Sequence, residues 1–297
     1  MNKKLNVLFL FLFLCYFLTT AYAGNPIKIL AIGNSFSQDA AESYVDDLAK
    51  ADGLSVVIAN MYIGGCSLET HWNNAIGDLG AYSYRKIIDG DTIVIEKQKL
   101  STAIQDEDWD IITFQQVSSL SGIYNSYFPF LPSLMAYVKG ITTNPNVKFA
   151  LHQTWAYAQN STHTGFANYN NNQLAMFQAI VATVLTVAKE NNISIIIPAG
   201  TAIQNGRTSF IGDNFCSDGY HLNHNHGRYT ASCTWYEKLL NKPAIGNKFI
   251  PIGMSAEEVK VAQYAAHYAI LFPNIITPIT DQLIGKESSN KSNPSNN

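Results

Sequence analysis

Five short apolar runs punctuate the chain, at residues 27–32, 54–63, 109–114, 147–151 and 193–197. Helical patterning separates most of them. Residues 38–51 carry apolar side chains at Ala41, Tyr44, Val45, Leu48 and Ala49, the three-and-four spacing of an amphipathic helix. Further helices are expected at 128–141, 173–190, 226–240 and 255–271. Strands joined through helices must cross over and lie parallel, with both faces of the sheet covered. The expectation is therefore an α/β fold, a three-layer α/β/α sandwich around a mostly parallel five-stranded sheet. Residues 82–98 break the pattern: they are β-rich around Asp89-Gly90-Asp91, a hairpin turn signal. That hairpin reads as a small excursion from the sheet.

The first residues bear on compartment. Lys3 and Lys4 precede a nearly unbroken apolar stretch over 5–18, and Ala21-Tyr22-Ala23 has the small-x-small form of a cleavage site. This is the pattern of a secretory signal peptide over 1–23, too short for a stable membrane span. A periplasmic or extracellular protein starting near Gly24 is expected, with no membrane insertion of the mature chain. The tail over 286–297 is Ser, Asn and Lys with one Pro and reads as disordered. With 19 basic against 22 acidic residues and no basic run, the composition argues against a nucleic-acid partner. Three cysteines remain after the leader, Cys66, Cys216 and Cys233, enough for one disulfide and one thiol. Cys216 and Cys233 flank one loop and are the candidate pair.

That loop holds Asp218-Gly219-Tyr220-His221. An Asp three residues before a His can hold one imidazole nitrogen and leave the other to take a proton from a nucleophile. Ser35 supplies the nucleophile: it follows the first apolar run, at the carboxyl edge where parallel sheets bind ligands. Taken alone, Ser35 reads first as a helix N-cap and Gly64-Gly65 as a plain turn; with Asp218 and His221 present the nucleophile reading prevails. His221, His224 and His226 lack a carboxylate or thiolate spaced to complete a metal site, so no metal is expected. Asp39 and Glu42 read as solvated residues in a first helical turn.

Taken together, these segments resemble the SGNH (GDSL-type) hydrolases. Ile32-Gly33-Asn34-Ser35-Phe36 is similar to the Gly-Asp-Ser block, with Asn for Asp. Ile63-Gly64-Gly65 is similar to the second block, and Asp218-Gly219-Tyr220-His221 to the last. The family's Gly-x-Asn-Asp block is missing; after the third run stands Gln115-Gln116-Val117-Ser118-Ser119. The resemblance implies one SGNH, flavodoxin-like domain over 24–285 and a secreted serine esterase. Ser35, Asp218 and His221 would form the catalytic triad. Ser35, Gly65 and Gln116 would form the oxyanion hole, with Gln115 and Ser119 as alternatives to Gln116. No cofactor is implied.

Substrate signals are sparser. Trp155, Tyr157, His163 and Tyr169 lie on the long loop after the fourth run, where aromatic faces could stack on sugar rings; Trp155 and Tyr169 could equally be core residues. With Asn34 added, Trp155, Tyr157 and Tyr169 are the candidate substrate-binding set. Many exported members of the resembled family deacetylate polysaccharides, which favours an acylated carbohydrate. A lipid esterase or thioesterase is one alternative, and a non-catalytic carbohydrate-binding protein on the same scaffold is another.

Overall fold

The computed structural model describes residues 25–281 and 283–285. The leader expected at 1–23 and the tail expected at 286–297 lie outside the described residues.

The strands are β1 (Ile27–Gly33), β2 (Val56–Tyr62), β3 (Tyr82–Ile88), β4 (Asp91–Gln98), β5 (Ile111–Phe114), β6 (Lys148–His152) and β7 (Ile195–Ile197). They form one seven-stranded sheet in the order β4-β3-β2-β1-β5-β6-β7. The five expected strands pair in parallel, from β2 through β1 and β5 to β7. The hairpin corrects the expectation. It is no excursion, because β3 pairs antiparallel with β2, Val57 to Tyr62 against Ser83 to Ile88, and lengthens the sheet to seven strands. Its turn is as expected: Asp89 and Gly90 both have positive φ, 53° and 89°, the twist that a two-residue hairpin needs.

The helices are α1 (Ser35–Ser37), α2 (Val45–Ala51), α3 (Leu68–Ile76), α4 (Leu100–Gln105), α5 (Phe130–Ile141), α6 (Gln173–Glu190), α7 (Ala199–Arg207), α8 (His226–Leu240) and α9 (Ala256–Leu271). A wide turn over Gln38–Glu42 joins α1 to α2, so the single helix expected there is broken. Helices α3, α4 and α5 pack on one another, and α2, α7 and α9 gather round α8. The sheet lies between as the middle layer of an α/β/α sandwich. Strand β1 is buried from Ile29 onward and β5 throughout, as strands covered on both faces must be.

This order sets the position of the site. From β1 the chain moves outward to β2 on one side, then returns to β5 on the other. The crevice beyond the carboxyl ends of β1, β2 and β5 is thus a topological switch point, where open α/β sheets bind ligands.

Candidate active site

The turn from β1 into α1 carries Ser35. A Cβ on Gly33 would lie 2.3 Å from the Ser37 Oγ, so only glycine allows this close approach. Asn34 caps α1 by accepting from the Phe36 N–H at 2.9 Å. Its other contacts are a hydrogen bond from Gln115 Nε2 at 2.7 Å and one to the Cys66 carbonyl at 3.0 Å.

His221 reaches Ser35 from the far end of the chain. Its Nε2 lies 2.9 Å from Ser35 Oγ and its Nδ1 lies 2.7 Å from Asp218 Oδ2. The second carboxylate oxygen of Asp218 accepts from the N–H groups of Tyr220 and His221 at 3.1 and 2.8 Å. Burial pushes the Asp218 carboxyl up, but the hydrogen bonds from His221 and these two N–H groups outweigh it and hold the group below its ordinary range. Since Asp218 holds Nδ1, the other ring nitrogen faces the hydroxyl.

The loop is anchored from below by Asp39. This carboxylate is 1% exposed, accepts from the Leu222 N–H at 2.8 Å and pairs with Arg228 at 2.7 Å. Burial raises its pKa to about 6 despite Arg228 and the Leu222 N–H. Asp39 is therefore not the solvated residue expected. Glu42 is not solvated either, since it accepts from Asn60 at 2.7 Å and from Arg85 at 2.6 Å.

Ser35 and His221 open onto a cleft of about 300 Å³, bounded by Phe36, Tyr62, Val117, Ser118 and Tyr220. Gly65 lines it too, at φ 64° in a turn closed by the Cys66 N–H on the Ile63 carbonyl. A larger cleft of about 560 Å³, near Lys28, Asp110 and Asn144, lies by the strands' amino ends; its lining holds no histidine, serine or cysteine.

Several expected roles are not available. Gln116 cannot be the third oxyanion donor: its carbonyl oxygen accepts from Leu68 and Val117 at 3.0 and 2.8 Å, and its NH₂ donates to Ser126. Gln115 is spent between Asn34 and His152, at 2.7 Å from each. Ser119 is absent from the cleft lining and packs its Cβ on Gly165. The substrate-binding set fails through burial. Trp155 is 0% exposed, stacks on Phe36 at 4.1 Å and donates its indole N–H to the Tyr220 carbonyl. Tyr157 is equally buried, with its hydroxyl 2.8 Å from Ser118 Oγ. Tyr169 spans Gly122 and Ser119 with its hydroxyl. Asn34 differs in that it lines the cleft, but it is 1% exposed and its amide is consumed as described above. These aromatics are the floor behind the cleft, not its wall.

Nor do Cys216 and Cys233 pair, since all three described cysteines are free thiols. Cys216 Sγ faces Arg207 at 3.8 Å, whereas Cys233 is sunk within α8. His226 is taken up by the Asn214 carbonyl at 2.7 Å.

What the sequence did not single out in the cleft lining is Ser118, Tyr62 and Tyr220, whereas His163, one of the loop aromatics named from the sequence, does line it. His163 Nδ1 accepts from the Gly165 N–H at 3.0 Å, so its proton sits on Nε2. Burial and the neighbouring His221 hold its pKa below the ordinary value for a histidine. Position alone could have flagged two of these: Ser118 stands where the family's third block falls, and Tyr220 lies inside the Asp-x-x-His motif.

A family model described as "Domain of unknown function (DUF4886)" matches residues 28–269. A crystal structure of a DUF4886 family protein from Bacteroides uniformis is 48% identical, with a TM-score of 0.84, covering 86% of this chain and 98% of its own. A protein from Slackia heliotrinireducens described as "a putative SGNH hydrolase" shares the fold at 18% identity and a TM-score of 0.50, covering 72% of this chain and 99% of its own. Among curated proteins no match was found.

Proposed function

Because the chain belongs to the DUF4886 family and has the fold of the SGNH hydrolases, we propose that it is a serine esterase removing acyl groups, acetyl foremost, from carbohydrate. The observation that carries this reading is the hydrogen-bonded line Ser35–His221–Asp218, at 2.9 and 2.7 Å, opening onto a cleft.

The chemistry follows from the donors and acceptors. Ser35 Oγ bonds to the ester carbonyl carbon while its proton passes to His221 Nε2. Asp218 stays ionised and supports the imidazolium. The tetrahedral oxyanion is held by the N–H groups of Ser35 and Gly65. The bond from the carbonyl carbon to the alcohol oxygen then breaks, and His221 returns the proton to the leaving alcohol. Water repeats the sequence on the acyl-enzyme: His221 takes its proton, its oxygen bonds the carbonyl carbon, and Ser35 leaves. Aromatic support for a sugar comes from half-buried Tyr62 and Tyr220 at the cleft, in place of the buried loop residues.

The test is hydrolysis of p-nitrophenyl acetate beside p-nitrophenyl octanoate. Turnover should favour acetate, and Ser35→Ala should lower it by at least ~10³-fold. Preference for octanoate would replace the carbohydrate reading with a lipid or thioester one. A wild-type protein that neither turns over an ester nor reacts with a fluorophosphonate at Ser35 would be a binding protein.

A further inference from the structure

The nucleophile turn and the Gly65 turn supply backbone donors, but both glutamines after β5 are occupied, and the third position of the oxyanion hole is unassigned. Resting on the esterase reading above, we propose that the hydroxyl of Ser118, oriented by Tyr157, is that third donor.

Donor accounting sets the direction of the pair. Ser118 Oγ and Tyr157 Oη are 2.8 Å apart, and either could donate to the other. Tyr157 is 0% exposed, and burial pushes its phenol up to about 12, so it is protonated at any working pH. Its proton needs an acceptor, because an unmet buried donor is costly. Among the described residues, that hydroxyl finds its hydrogen-bond partner in Ser118 Oγ. Were Ser118 to donate to Tyr157, the phenol proton would be stranded in the core. With Tyr157 donating, the phenol proton is met and the Ser118 proton is left free for an acceptor in the cleft that Ser118 lines together with Ser35 and Gly65.

Placement agrees. Ser118 follows β5, next to β1 in the sheet, so it stands on the opposite side of Ser35 from the Gly65 turn after β2. The packing leaves little play. A Cβ on Gly165 would strike the Ser119 Cβ at 2.3 Å, so Gly165 is pressed on Ser119, the residue next to Ser118. The Tyr157 ring is further held by His163 and Phe166, with centroids 4.9 and 5.6 Å away. The result is a preorganised hydroxyl donor where the resembled family places an amide.

The experiment is steady-state kinetics on p-nitrophenyl acetate with four variants, each checked by thermal melting. Ser118→Ala should lower kcat by about 10²–10³-fold with KM little changed. Ser118→Thr keeps the hydroxyl and should recover most of the loss. Tyr157→Phe frees the serine rotor and should cost roughly two- to tenfold in kcat. The double variant should be no slower than Ser118→Ala, because Tyr157 acts only through Ser118. Full kcat in Ser118→Ala, in a protein whose turnover still requires Ser35, would overturn this inference and leave the esterase intact. Additive losses in the double variant would overturn the role of Tyr157. Absence of Ser35-dependent turnover in the wild type would sink the esterase reading and this inference with it.

Discussion

Asn34 shows how much one buried amide can organise. Its oxygen takes the Phe36 N–H and the Gln115 amide, and its NH₂ group holds the Cys66 carbonyl at 3.0 Å. One side chain thus ties the turn bearing Ser35 to the turn bearing Gly65, and so fixes relative to each other the two backbone N–H groups proposed as oxyanion donors. Gln115 is fixed in turn by His152, so the line of contacts runs from the cleft into the core. The resembled family has Asp where this chain has Asn34, and here that residue would be wrong. Asn34→Asp would set a carboxylate oxygen against the Cys66 carbonyl in a site 1% exposed, two acceptors with no proton between them. We expect a loss of ~1–3 kcal/mol in stability at neutral pH, read by denaturant melting, with part of it recovered in acid as the new carboxyl protonates. Unchanged stability at neutral pH would refute the account. At this scale the sequence was informative where chemistry is local. Asp218 and His221 sit three apart on one loop, and Ser35 follows a strand, so their meeting was legible. Whether Trp155 or Gln116 faces the cleft or the core depends on how a long segment folds back on the sheet, and neither spacing nor residue type records that.

At the scale of elements, the longest periodic segments were read closest to where they fall. The expected helix at 173–190 coincides with α6, and that at 226–240 with α8. The misses have physical causes. Helix α7 reads AGTAIQNGR, with two glycines and a proline before it, and its local preference is against helix. It forms because it is buried along its whole length between α8, α9 and the segment after β6. Helices α3 and α4 are short, and Ser67 capping α3 was an available signal. The hairpin was legible from its turn, but the edge it joins is set by pairing with β2, which sequence alternation does not encode. Glycine in α7 is required by contact: a Cβ on Gly200 would lie 2.1 Å from the Thr154 carbonyl oxygen. Gly200→Ala should therefore destabilise by ~1–3 kcal/mol through overpacking, although propensity alone favours alanine by about 1 kcal/mol. A calorimetric melt decides the sign, and a rise in Tm would show that α7 can move off the 153–155 segment.

For the whole molecule, the buried titratable groups set the response to pH. His71 and His152 are 0% and 1% exposed, and burial holds each pKa down to about 3. Folding therefore keeps both neutral, while the unfolded chain takes up protons below about pH 6.5. Between these values the unfolded state binds more protons, so stability falls as pH falls. Asp39 works the other way. Its pKa is raised to about 6, so the folded state binds the extra proton and gains stability as pH drops from about 6 toward 4. Magnitudes decide between them. From pH 7.5 to 5.5 the two histidines remove roughly 3 kcal/mol, and Asp39 returns roughly 1 kcal/mol. The net loss, roughly 2 kcal/mol, corresponds to a fall in Tm of roughly 4–8 °C for a domain of this class. Melts at the two pH values and matched ionic strength test this directly. Replacing His71 with Gln should lower Tm at pH 7.5, by breaking its 3.0 Å contact with the Tyr82 hydroxyl, yet flatten the dependence on pH. A variant as acid-sensitive as the parent would mean that His71 takes up its proton without unfolding the chain, and that the acid response originates elsewhere.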